Sequence, residues 1–255
     1  MEILSQVVAY SGLLIEGVIL ARGIQNKNFA KYSMFYSYLL TVLVTSVFLQ
    51  IVRHIVSTPV YGPLYWRLDL VTLALGCGVI VDIPGHVFGG HVSLKRFTQW
   101  VAILTFGAIF LAFAIHVAFL PNWKPVANAA ELERDLRIAQ AIPLLSIVFL
   151  TGYYGIEIGK NMKGLILGFG VYAGVSIVLL TLGLFIGAQF SPVWKIVVPL
   201  SYIAALSIWT VALWSYEPAS ASPPEPTDID YRKLAGRTQQ ALGSIQEQLD
   251  RTPDR

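Results

Sequence analysis

Four ionisable side chains fall inside long apolar stretches: Glu16, Asp69, Asp82 and His116. Charge in hydrocarbon is costly. Such groups turn toward a helix-bundle interior, pair with one another, and mark ligand, ion or proton sites. Antiparallel threading sorts them, with the polar residues nearest the span ends, into two layers. The outer layer holds Arg53, His54, Asp69, His116, Arg137 and Gln140. The inner layer holds Glu16, Asp82, His86, His91, Glu157 and Lys160. The outer set suits ion pairing, Asp69 with Arg53 or Arg137, or a ligand or ion site open to the outside. The inner set reads first as solvation at the membrane surface. His54 and His116 share a depth and imidazole ligates haem iron, but a single His on each of two helices is a thin basis, so no cofactor is expected. His86 and His91 stand five apart in HVFGGH. That departs from the i,i+4 spacing that stacks two side chains on one helix face. With Asp82 they make a poor metal site, and no metal is expected.

The known chemistries of seven-helix proteins can be tested by residue type. A retinal protein needs a lysine in the middle of its last span, and here Lys195 sits at the end of that stretch. Ceramidase-type zinc amidohydrolases need histidines there, and Val193–Tyr216 has none. Asp69 and Asp82 are thirteen apart on one span, roughly 20 Å along a helix axis, too far for an aspartyl dyad. No serine–histidine nucleophile pair is suggested. The one cysteine, Cys77, excludes an intrachain disulfide or a thiolate cluster. No catalytic residue is assigned.

Other residues bear on packing. GLILGFGVYAG contains two small-xxx-small pairs, Gly164–Gly168 and Gly170–Gly174, which let a neighbouring helix approach closely. Pro143 and Pro199 each remove a backbone hydrogen bond from a span and predict kinks.

The elements that position these residues follow from composition. The chain has 255 residues, 55% of them apolar and 13% charged, with mean hydropathy +0.64. Soluble domains carry roughly 25% charged residues, so disorder, a nucleic-acid-binding domain and an ordinary cytosolic enzyme are excluded. What remains is an all-α polytopic membrane protein. Stretches near the 20 apolar residues that a span needs lie at about Leu4–Ala21, Ser33–Val52, Tyr65–Ile83, Phe97–Leu120, Leu136–Ile156, Leu165–Phe190 and Val193–Tyr216. They predict a bundle of seven transmembrane helices over 1–216. The first stretch lacks a basic start and a small-residue cleavage pattern, so it reads as a retained helix rather than a signal peptide. Trp66, Trp100, Trp123, Trp194 and Trp214 fall near span ends, where indole rings favour the interface.

Lys and Arg set the orientation. With the N-terminus out and the C-terminus in, twelve fall on inner segments and six on outer ones, or seven and six without the tail. The net charge of +3 then sits mainly in segments facing anionic lipid. Residues 217–229, rich in Pro, Ser and acid, read as a flexible tether. In 230–255, Leu234, Ala241, Leu242, Ile245 and Leu249 recur at helical spacing. They predict a short amphipathic cytoplasmic tail helix, which lies on the membrane or engages a protein partner.

FYSYL (35–39), YGPLYWRLDL (61–70), VDIPGHVF (81–88), LERDLRIAQ (132–140) and GLILGFGVYAG (164–174) together resemble a group of bacterial seven-helix membrane proteins common in acidobacteria. The resemblance spans about residues 35 to 215. In that group Asp69 and Asp82 stand where Glu is more usual. The resemblance implies the seven-helix fold and a bacterial inner membrane, and implies no activity. The expected function is therefore a non-enzymatic sensory or interaction protein that binds a small ligand or partner. The alternatives are a small-solute or proton-coupled transporter and a lipid- or quinone-modifying or haem-binding membrane protein. The lipid bilayer is the expected environment, with no nucleic-acid partner.

Overall fold

The computed structural model describes residues 2–53, 55–56, 58–119, 125–186 and 190–215. The chain divides into the units Met1–Ser220 and Ala221–Arg255. The tether and tail helix expected at 217–229 and 230–255 lie outside the described residues, as does His54.

Among the described residues every element is helical: α1 (Glu2–Gln25), α2 (Asn28–Lys31), α3 (Ser33–Val52), α4 (Thr58–Val87), α5 (Val92–Phe119), α6 (Pro125–Tyr154), α7 (Lys160–Ile186) and α8 (Ser191–Leu213). Six carry windows long and apolar enough to cross a membrane: Ser33–Val52, Val60–Val87, Val92–Ile115, Leu132–Tyr154, Lys160–Gly183 and Ile196–Leu213. The sequence predicts seven spans. The remaining long helix, α1, has 24 residues but is not among these six. Large apolar side chains cover the outside, among them Leu104, Phe149, Phe185 and Val211. Water would not tolerate so continuous an apolar surface, whereas lipid does.

Neighbour packing runs α1–α3–α4–α6–α7–α8 and back to α1, with α5 held against α4 and α6. The share of the apolar window that is buried matches this order: 44% in both α4 and α6 but only 17% in α5. The centre is aromatic. Trp209 of α8 is fully buried, with ring centroids 5.2 Å from Phe35 and 4.9 Å from Phe169, so one indole joins α3, α7 and α8. Its Nε1 donates to the carbonyl of Leu165, at 3.4 Å. This approach requires glycine. A Cβ on Gly168 would overlap the Trp209 ring, and one on Gly164 would overlap the Ala212 side chain.

Several helices exceed the predicted spans, because polar ends continue the hydrogen-bond ladder beyond the hydrocarbon. Pro84 does not end α4 at Ile83. Its ring removes a donor, but its carbonyl still accepts from the Phe88 amide at 2.9 Å. The acidic segment 131–135 lies within α6 rather than opening it, since the helix starts at Pro125. Pro143 and Pro199 sit inside α6 and α8. The end of α6 is a Schellman turn: Gly155 has φ 63° and the Ile156 amide reaches back to the Thr151 carbonyl at 2.9 Å.

At the same end of the bundle, asparagine amides cap α8. The last carbonyls of a helix have no partner within it. Asn161 of α7 donates to the carbonyls of Ala212 and Ser215, each at 3.0 Å. Asn26 donates to the carbonyl of Trp214 at 2.9 Å. The Arg22 guanidinium lies 4.7 Å from the Trp214 ring centroid. These contacts tie α8 to the α1–α2 turn and to α7.

Candidate functional site

Glu133, Arg137 and Gln140 occupy consecutive turns of α6 and share one face, as i,i+4 and i,i+3 spacing requires. That face points inward: Arg137 is 7% exposed and Gln140 1%. Nη2 of Arg137 lies 3.6 Å from a Glu133 carboxylate oxygen. Nη1 donates to Gln140 Oε1 at 3.2 Å. On α7, Tyr172 meets the same guanidinium. Its ring centroid is 4.5 Å from Cζ and its hydroxyl accepts from Nη2 at 3.4 Å. Gln140 Nε2 in turn donates to Sγ of Cys77 on α4, at 3.6 Å. A buried cation is thus held by a carboxylate, an amide and an aromatic face, the combination that low dielectric demands. Nε of Arg137 has no hydrogen-bond partner.

This cluster forms one wall of a cavity of about 160 Å³. Asp69 and Thr72 of α4 line it, with Tyr38, Tyr65, Arg137 and Tyr172. The cavity therefore presents a guanidinium edge, a carboxyl group and a ring of hydroxyls that donate or accept.

A second cavity, of about 270 Å³, adjoins it between α1, α3, α4 and α8, and the two share Ser46, Leu49, Tyr65 and Tyr202. Glu16 lines the second cavity and is 2% exposed. Tyr202 donates its hydroxyl to Glu16 Oε1 at 2.7 Å. Tyr202 and Tyr172 pack ring to ring at 5.4 Å, so the Arg137 cluster and Glu16 touch a common pair of phenols.

The two expected layers are redistributed. Asp69, Arg137 and Gln140 come together. Arg53 is exposed at the end of α3 and lines neither cavity. His116 lies on α5, and its side chain is outside the described set, like all of His54. Glu16, assigned to the inner layer, belongs instead with this interior system. Its place midway along α1 lets it meet Tyr202, itself midway along α8. Of the remaining inner residues, Asp82 and His86 meet at 3.7 Å, and His86 Nε2 lies 2.9 Å from the Lys31 carbonyl. His91 lies beyond the end of α4, and Glu157 is exposed in the α6–α7 connection. No group of three His, Cys, Asp or Glu that could hold a metal occurs among the described residues.

The glycine pairs also separate. Gly164 and Gly168 lie against α8, whereas nothing stands within 4 Å of a Cβ built at Gly170 or Gly174. Six residues along a helix is a rotation of about 240°, so both pairs cannot face the same neighbour.

Sequence reasoning missed Tyr38, Tyr65, Tyr172, Tyr202 and the pairing role of Glu133. Tyrosine is enriched at membrane interfaces. A phenol in mid-span was therefore the available signal, and Tyr172 and Tyr202 both carry it. Neither a family model, a curated protein nor a solved structure matches the chain.

Proposed function

We propose that the chain is a seven-helix protein of a bacterial plasma membrane, N-terminus out and C-terminus in, that binds a small polar ligand between its helices. In this reading α1 is the seventh span. The protein is a non-enzymatic sensor or interaction protein, and the tail carries the response to a cytoplasmic partner. The observation that carries it is the Arg137 cluster: a buried guanidinium, Asp69 and several phenols around one cavity. Binding sites in helix bundles are built this way, from an enclosed space with a few convergent polar groups. The resemblance to bacterial seven-helix proteins and the excess of Lys and Arg on one side support the placement.

The test is a thermal-shift screen of the full chain in nanodiscs with amino acids, short carboxylates, primary amines and sugars. A saturable shift by one class is expected, weakened at least tenfold by Asp69→Asn. If no class shifts the protein, or Asp69→Asn leaves the response unchanged, the reading fails. A transporter is the second reading, favoured by the shared wall of the two cavities and by Pro199 in the helix beside them. Flux of the same compound into proteoliposomes separates the two: a transporter accumulates it, and a sensor binds it without passage.

A further inference from the structure

The second cavity differs in chemistry from the first. Among its described lining residues Glu16 is the sole charged side chain, with no Lys, Arg or His opposite it. Tyr202 satisfies one carboxylate oxygen. The other, Oε2, is buried without a hydrogen-bond partner. Tyrosines line the space together with aliphatic residues, Ser46 and Gln50. Tyr61 and Tyr65, one turn apart on α4, stack with centroids 6.5 Å apart and planes 28° from parallel, and Tyr10 and Tyr202 line the same space. Pro199 also lines the space. Carboxylate oxygen and phenol faces both attract positive charge. A carboxylate in so apolar a setting either takes up a proton or meets a counter-charge.

We infer that the cavity between α1, α3, α4 and α8 is a binding site for a small monovalent organic cation of the substituted-ammonium class, with Glu16 as its counter-charge and the tyrosines as its cage. Aromatic faces attract ammonium groups from within about 6 Å of the ring centroid. A volume of about 270 Å³ accommodates a compact ammonium. An alkyl-substituted ammonium gives up less hydration than a small metal ion on entering a space lined by tyrosine rings and aliphatic side chains. The site adjoins the Arg137 cavity but does not depend on the role proposed for it.

The experiment uses the full chain in nanodiscs, titrated with tetramethylammonium chloride and with ethylammonium chloride. Sodium chloride at matched ionic strength is the reference, and intrinsic tryptophan fluorescence and thermal midpoint are the readouts. A saturable response to at least one ammonium, absent with sodium, is expected. Glu16→Gln should weaken it roughly thirtyfold or more, the usual result of removing one partner of a buried charge pair. Tyr61→Leu should weaken it roughly fivefold, while Tyr61→Phe, which keeps the ring, stays within about twofold. Asp69→Asn, in the neighbouring cavity, should also stay within about twofold, so failure here is distinguishable from failure of the Arg137 site. An equal response to sodium, no saturable response to either ammonium, or undiminished affinity in Glu16→Gln overturns the inference. Should Glu16→Gln not fold, the Tyr61 pair decides: equal affinity in Leu and Phe variants overturns it.

Discussion

Arg137 shows how a membrane interior holds a charge. Glu133, Gln140 and Tyr172 each occupy part of its guanidinium, and removing it leaves the half-buried Glu133 carboxylate without its cation. Arg137→Ala should therefore lower stability by roughly 3–5 kcal/mol, the usual cost of breaking a buried pair. Arg137→Lys should recover only part of that, since an ammonium lacks the planar face that lies on Tyr172. Reversible unfolding in mixed micelles measures both, and equal stability of the Lys variant and the wild type would contradict the stacking argument. Arg137 and Asp69 were legible in the sequence, because intramembrane charge is rare enough to be conspicuous, and Gln140 followed as a polar residue one turn from Arg137. Tyr172 and Tyr202 were not, because tyrosine belongs equally to interfaces, cores and sites, and sequence position alone does not choose among them. The partner of Glu16 was hidden for a different reason. Depth was inferred from counting along a span, whereas its partner is set by which helix packs beside α1, and sequence order gives no rule for α1 against α8.

The contact of α7 with α8 rests on two missing methyl groups. A Cβ at Gly164 would occupy the space of the Ala212 side chain, and a Cβ at Gly168 that of the Trp209 indole. Overpacking of this kind typically costs about 1–3 kcal/mol. Gly168→Ala should sit in or above that range, because the indole also joins Phe35 and Phe169 and has little room to retreat. Gly170→Ala, facing open space on the same helix, should be neutral or slightly stabilising, since alanine is the better helix former. Thermal midpoints of the two variants rank them, and a Gly170→Ala defect as large as that of Gly168→Ala would refute the assigned faces. The spacing of the glycines was visible in the sequence, but the pair that meets a neighbour was not, because spacing fixes relative angle and not absolute rotation. Trp209 shows the converse. The other tryptophans lie near span ends, as interfacial anchors do, and the one in mid-span proved to be the core.

For the whole molecule, the parity of crossings decides how the two cavities face the cell. Six helices have windows apolar and long enough to span, and an even number returns both termini to one side. With α1 as a seventh crossing they lie on opposite sides. The packing of α1 supports the odd count. Its 24 residues reach about 36 Å at 1.5 Å per residue, more than the roughly 30 Å of hydrocarbon. It lies against α3 and α8 with Ile19 and Leu20 buried, and it turns Leu14 outward at 71% exposure, as a helix flanked by lipid does. A helix lying on the surface would have no reason to place Glu16 at 2% exposure against Tyr202 in the middle of α8. The labelling experiment starts from Cys77→Ser, in which the hydroxyl still accepts from Gln140 and removes the native thiol. Single cysteines at Glu2→Cys and Ser244→Cys are then probed with a membrane-impermeant maleimide. The position-2 thiol should react in intact cells, and the position-244 thiol only after the membrane is opened. Reaction of both before opening, or of neither, would make the count even, place α1 outside the hydrocarbon, and leave Glu16 without the buried setting on which the cation site depends.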